Sequence, residues 1–194
     1  MAAMEPTAAE IRQAQKGSVA AFENIVTHYS TAIYNLAFRF IYDRDEAHDL
    51  AQEVFLRLYV NLREFDATRP FRPWLYRLAT NVCINATRGR KRRPRVEDPE
   101  LLAQRRDSDH AGDPAQEAAF RDDVAAAQQA VAQLPEEYRT VVVLRYLEDM
   151  SCQDVAATMD IPVGTVKTWL FRAREMLRDR MKARENPIEF RRNE

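Results

Sequence analysis

Three groups of residues combine types and spacings that suit work on nucleic acid or on a charged partner. Residues 163–184 hold seven basic residues against two acidic ones. At about 100° per residue, Val166, Leu170, Ala173 and Leu177 fall on one face of a helix there, and Lys167, Thr168, Phe171 and Arg172 fall on the other. In a DNA major groove, cations on such a face meet phosphates or guanine edges, and a hydroxyl or an apolar ring meets a thymine methyl. An ordinary solvated face with one stray aromatic would carry the same residues. Earlier in the chain, Trp74, Arg77 and Asn81 recur at i, i+3 and i+7, off the apolar stripe, with Tyr76 and Thr80 at its other edge. A ring that stacks, an amide that reads a base edge and a cation that follows the backbone suit unpaired bases. Core aromatics at a domain edge are the alternative for Trp74 and Tyr76. The third group, Asp45, Asp49, Gln52, Glu53 and Arg57, opposes an apolar stripe, a face that is either merely wet or docks a basic partner.

These residues need helices to hold them. Val19, Phe22, Ile25, Val26, Tyr29, Ile33, Leu36 and Phe40 step by threes and fours, which predicts a helix over 18–42 starting near Gly17-Ser18. The pattern repeats over 44–64. A loop at 64–72, bracketed by Pro70 and Pro73, precedes a helix over about 73–90 that packs Leu75, Leu78, Ala79 and Val82. Residues 88–95 then hold six basic residues and no acid, and residues 97–123 hold nine acids and three bases. That change of composition, with Pro99 and Pro114, reads as an acidic, flexible linker. Helices follow over 116–133 and from Pro135 to near Glu148.

Ser151 starts a short helix, and Pro162 falls in the first turn of the last one, an order that suits a helix-turn-helix. Asp154 is spaced as a capping-box partner of Ser151. Val155, Ala156 and Met159 are its inward residues. Ile161 is a poor N-cap, so burial of Ile161 is expected to hold the turn.

The expected fold is therefore all-α, two small helical domains joined by the acidic linker. The divisions are an N-terminal segment 1–17, a first domain 18–93, a linker 94–115, a second domain 116–184 and a tail 185–194. With 194 residues, 46% of them hydrophobic, the chain has enough apolar content for such cores. Net charge is −1, so any nucleic-acid binding rests on distribution rather than total. Two cysteines, Cys83 and Cys152, and three scattered histidines fit no metal spacing, and no cofactor is implied. The N-terminus lacks a signal peptide's apolar core, and no stretch has the length of a membrane span. A cytoplasmic protein with reduced thiols is expected. An enzyme acting on nucleic acid is disfavoured, since paired metal-binding carboxylates, a phosphate loop and a nucleophile–base pair are all missing. A plain helix-turn-helix regulator would account for 135–182 but not for 45–90. An antagonist working through acidic faces would not need the basic face at 167–178.

Together the stretches "DEAHDLAQEVFLRLY", "RPFRPWLYRLATNVCINATRGRKRR" and "LPEEYRTVVVLRYLEDMSCQDVAATMDIPVGTVKTWLFRARE" resemble, in that order, a bacterial RNA polymerase sigma factor of the extracytoplasmic-function group in the sigma-70 family. The resemblance covers most of residues 18–182 and implies a sigma-2-like domain followed by a sigma-4-like one. Asp45, Asp49, Gln52 and Glu53 would bind core RNA polymerase at the clamp helices of the β′ subunit, and the second domain would meet the β flap. The loop 64–72, with Phe71, Arg72, Trp74, Arg77, Asn81 and Arg88, would bind and melt the −10 element and hold a flipped base. Thr165, Lys167, Thr168, Phe171 and Arg172 would enter the −35 duplex. Ile161, where the family often has a polar residue, and Trp169 depart from the pattern and bear on −35 preference. The implied role is promoter-directed transcription initiation in a stress or envelope response, under an anti-sigma factor and without membrane insertion.

Overall fold

Ser18 starts the longest helix among the described residues of the N-terminal half by accepting a hydrogen bond at its hydroxyl from the Ala21 N–H (3.3 Å). The computed structural model describes residues 5–90 and 124–185, which are helices and short connections with no strand among them. The linker expected at 94–115 and all of the tail expected at 185–194 except Glu185 lie outside the described residues. By contact the chain forms two compact units. The first contains the helices up to residue 90, and Gln153–Ile161 groups with it; the second contains the other helices of the C-terminal half.

In the first unit α1 (Ala8–Gln15) precedes α2 (Val19–Ile41), α3 (Arg44–Asn61), a 3-10 turn (Leu62–Glu64) and α4 (Phe71–Arg90). Ile25, Tyr29, Ile33, Leu36 and Phe40 of α2 are buried, as their spacing requires. Tyr42, in the left-handed region at φ 55°, ends α2, and Asp43 caps α3 by accepting from the Glu46 N–H at 3.0 Å. Ala47, Leu50, Ala51, Val54 and Leu58 form the inward stripe of α3. α4 packs against both α2 and α3. Two neighbours widen its buried face: Tyr76 and Thr80, expected at its edge, are buried along with Leu75, Ala79, Val82 and Cys83. For Tyr76 the core alternative is the correct one.

The C-terminal half has a helix over 124–132 (α5), then α6 (Glu136–Val142), which runs on as a π-helical turn over Val143–Leu147. Asp149 at φ 51° ends it. α7 (Cys152–Met159) and α8 (Val163–Glu185) follow, separated by residues 160–162. Val155 and Ala156 of α7 are buried; Met159 is only half-buried, and Thr158 is buried instead. The expectation for Ile161 needs correction, because its side chain is only half-buried. Backbone geometry closes this end of α7: Asp160 takes φ 57° and the Ile161 N–H returns to the Ala156 carbonyl at 3.1 Å, a Schellman-type closure. In the second unit α8 packs on α6 and buries Val166, Leu170 and Ala173.

Candidate nucleic-acid interfaces

A cleft of about 360 Å³ opens between α3 and α4. Trp74, Arg77 and Asn81 line one wall, and Arg57, Asn61 and Glu64 line the other. Three residues singled out on α4 for unpaired bases thus share one concave surface. Its opposite wall is preset, since the Asn61 side-chain amide donates to the Arg57 carbonyl at 2.7 Å and the Arg57 guanidinium pairs with Glu53 at 2.5 Å. Sequence reasoning placed Arg57 on a polar face without assigning it to nucleic acid, and it passed over Asn61. The available signal was their i, i+4 spacing on the helix that precedes the loop.

Aromatic rings hold the end of this cleft. Phe65 lies 4.6 Å from Trp74 and 5.4 Å from Phe71 between ring centroids, and Phe71 lies 5.7 Å from Trp74 and 5.8 Å from Tyr29. Phe71, expected among the DNA-contacting residues, is only 6% exposed. Its ring is core, because the chain turns inward at the first residue of α4. Arg72 is half-buried, with its guanidinium 5.3 Å from the Tyr76 ring centroid; Arg88 is exposed farther along α4. Between Phe65 and Phe71, the Asp66 carboxylate accepts from the Thr68 hydroxyl (2.7 Å) and from its N–H (3.0 Å). Those bonds, the hydroxyl's first, lower the Asp66 pKa below the usual carboxylate value.

The acidic set lies on α3. Asp45, Asp49 and Gln52 are exposed and Glu53 is half-exposed. Leu56, Tyr59 and Val60 continue this side of the helix as large apolar residues open to water, Val60 at 72% exposure. They were missed because the sequence pattern marks buried apolar stripes and gives no sign that a second set stays uncovered. The Tyr59 ring makes an edge contact with Phe22 at 5.2 Å.

On α8, Lys167, Thr168, Phe171 and Arg172 are all exposed, Phe171 at 56%, while Thr165 is half-buried. The Thr168 hydroxyl donates to the Gly164 carbonyl at 3.0 Å, so its methyl and its lone pairs, rather than its proton, remain for a ligand. Arg178, which continues this face, is flanked by Glu175 and Asp179 at 3.8 Å each. Trp169 points elsewhere, with its ring edge-on to Tyr138 at 6.3 Å.

Two helical units, one with a cleft suited to unpaired bases and the other with a cationic helix face, define a regulatory DNA-binding protein. The family model for sigma-70 region 2 matches residues 25–93, and that for sigma-70 region 4 matches residues 125–177. The chain therefore belongs to the sigma-70 family of RNA polymerase promoter-specificity subunits, and its relatives put it in the extracytoplasmic-function group. It is 39% identical to the ECF RNA polymerase sigma factor SigW of Bacillus subtilis, covering 89% of this chain and 95% of the relative. It is 38% identical to the RNA polymerase sigma-H factor of Pseudomonas aeruginosa, covering 86% of this chain and 89% of that one. Among solved structures, CnrH in complex with the cytosolic domain of CnrY superposes with a TM-score of 0.69 at 25% identity, over 92% of this chain and 99% of CnrH.

Among the described residues no helix is long and apolar enough to cross a membrane, and no cluster of candidate ligands could hold a metal ion.

Proposed function

We propose that this sigma factor divides its work among the three surfaces. Asp45, Asp49, Gln52 and Glu53 dock on the clamp helices of the polymerase β′ subunit, and the second unit meets the β flap. The α3–α4 cleft receives an unpaired −10 base, stacked on Trp74 and read by Asn81, while Arg77 and Arg88 follow the backbone. Lys167, Thr168, Phe171 and Arg172, next to Thr165, enter the −35 major groove. The observation that carries this reading is the convergence of a stacking ring, two amides (Asn61 and Asn81) and two arginines (Arg57 and Arg77) in one cleft, chemistry suited to a single-stranded base rather than to duplex DNA. Polymerase holds both DNA-binding units on one promoter, so their joint affinity exceeds that of either alone. Trapping a flipped base offsets part of the cost of opening the duplex, a few kcal/mol per unstacked base. The chain itself catalyses nothing and acts in the cytoplasm, where the polymerase is.

A partner protein holds the chain inactive by covering its polymerase-binding surfaces. The related CnrH was solved in complex with the cytosolic domain of CnrY, and the uncovered Leu56, Tyr59 and Val60 give such a partner an apolar foothold. An anti-sigma factor acting in a stress or envelope response fits this role.

Run-off transcription with purified core polymerase, together with permanganate probing of unpaired thymines, tests the reading. Asn81→Ala and Trp74→Ala should keep core binding and lose strand opening. Unchanged opening in both would reject the cleft.

A further inference from the structure

Gln15, the last residue of α1, donates both N–H groups of its side-chain amide to the backbone. One goes to the Leu62 carbonyl at 2.9 Å and the other to the Phe65 carbonyl at 2.6 Å. Leu62 opens the 3-10 turn that ends α3 and Phe65 follows it; the Leu62 carbonyl also accepts from the Phe65 N–H at 3.2 Å, so the amide adds a second bond there. Leu62 and Phe65 are buried, so water is a poor substitute for the lost donor. A primary amide offers two donors on one nitrogen, which a carboxylate or an aliphatic chain of the same length cannot.

What these two bonds fix matters for the cleft. Glu64, inside the turn, is part of one cleft wall. The Phe65 ring packs at a tilt against Trp74, part of the other. α1 is itself anchored apart from Gln15. Thr7 and Glu10 form a reciprocal capping box, Ile11 is buried, and Glu5 accepts from the Tyr29 hydroxyl at 3.2 Å. Tyr29 in turn contacts Phe71, so both ends of α1 reach the same aromatic cluster.

We infer that Gln15 is a positioning residue for promoter opening: its amide latches the turn at Leu62–Phe65 and thereby sets the distance between the Trp74 and Glu64 walls of the cleft. The inference rests on reading that cleft as the site of the unpaired base. It assigns the N-terminal helix, outside both sequence-derived domains, to the DNA-opening machinery.

The test uses the full chain with Trp169→Phe, which leaves Trp74 as its one tryptophan, and compares Gln15→Leu and Gln15→Glu in that background. In the free chain Gln15→Leu should shift the Trp74 emission and raise its quenching by acrylamide. Gln15→Glu should titrate. At low pH the protonated carboxyl regains one donor and the emission moves toward the parent's; at high pH the carboxylate, repelled by both carbonyls, departs from it at least as far as Gln15→Leu. With core polymerase, on a promoter selected from genomic DNA by run-off transcription with the parent chain, core affinity should stay within about twofold. Permanganate reactivity at the opened thymines should fall at least roughly tenfold in Gln15→Leu, which loses two buried hydrogen bonds.

Core affinity and opening falling in parallel would mean that Gln15 only stabilises the fold, and would overturn the inference. So would parent-like opening in Gln15→Leu while Asn81→Ala abolishes it. If Asn81→Ala and Trp74→Ala both open normally, the cleft reading fails and takes the opening role of Gln15 with it. Should Gln15→Leu fail to fold, the Gln15→Glu titration decides alone, and a flat Trp74 emission across pH would overturn the latch.

Discussion

The Arg57 guanidinium closes on the Glu53 carboxylate one helical turn back at 2.5 Å, so a single arginine joins the acidic face of α3 to the wall of the cleft. Both side chains are about half-exposed, and an i, i+4 pair in water contributes only a few tenths of a kcal/mol. The pair therefore orients Arg57 more than it stabilises α3. Asp49→Lys combined with Glu53→Lys should leave the melting temperature within about 2 °C and weaken core-polymerase affinity at least roughly tenfold. Competition binding against the parent chain measures this, and an unchanged affinity would remove α3 from the polymerase interface.

Two phenylalanines of the candidate sites should respond in opposite ways. Phe171→Ala removes an exposed ring, so the melting temperature should hardly move while binding to a −35 duplex falls. Phe71→Ala empties a buried site and should cost about 3–5 kcal/mol of stability. Urea melts of both variants separate the cases, and a large stability loss in Phe171→Ala would return that ring to the core.

The cations and the hydroxyl of α8 are distinguishable by their selectivity. Arg172→Ala should lose roughly 1–3 kcal/mol and relax preference at one base pair if it reads a guanine edge. Lys167→Ala should weaken all sequences alike and flatten the salt slope by about one unit if it meets only phosphate. Thr168→Val should keep any preference for a thymine methyl, which the remaining methyl still meets, and lose only what the hydroxyl lone pairs accept, because the Thr168 proton is already given to the Gly164 carbonyl. Binding isotherms over a set of −35 variants at two salt concentrations check all three, and a lost preference for thymine in Thr168→Val would contradict the methyl contact.

Burial, and then the nearby Glu5 carboxylate, push the Tyr29 pKa above its ordinary value of about 10. Its folded-state pKa is raised, so its contribution to stability is complete below about pH 10 and is lost as pH climbs beyond that toward the folded value. Tyr29→Phe should flatten the alkaline limb of a stability–pH curve without altering its neutral region in shape. Glu10 has the opposite sign. Hydrogen bonds from Thr7 lower its pKa, so what the cap contributes is present above the usual carboxylate range and fades as pH falls through the lowered value. Glu10→Gln should remove that acid dependence, read by hydrogen exchange in α1.

The sequence made the helices legible wherever one face is buried and the other is wet. Ser18 and the stripe from Ile25 to Phe40 follow directly from spacing, and so does the open face of α8 around Phe171. It misled where a helix has two neighbours: α4 lies against α2 and α3, so Tyr76 and Thr80 are buried although they sit off the main stripe. Phe71 went astray because an aromatic at a loop edge looks the same whether it turns in or out. Ile161 did because the left-handed Asp160 closes the turn through backbone, which leaves no mark in side-chain pattern. The contacts of Gln15 lie 47 and 50 residues away, beyond the reach of any local periodicity.

That separation has a consequence for the order of events as the chain is made. α1 can coil and cap itself as soon as Thr7 to Gln15 have been synthesised, but its amide then has nothing to hold. The acceptors arrive only when Phe65 has emerged, and the ring that rests on Phe65 arrives with Trp74. The earliest helix in the chain thus waits through two others before it closes the loop. Fragments that begin at residue 18 would fold with the Leu62 and Phe65 carbonyls bare of this donor.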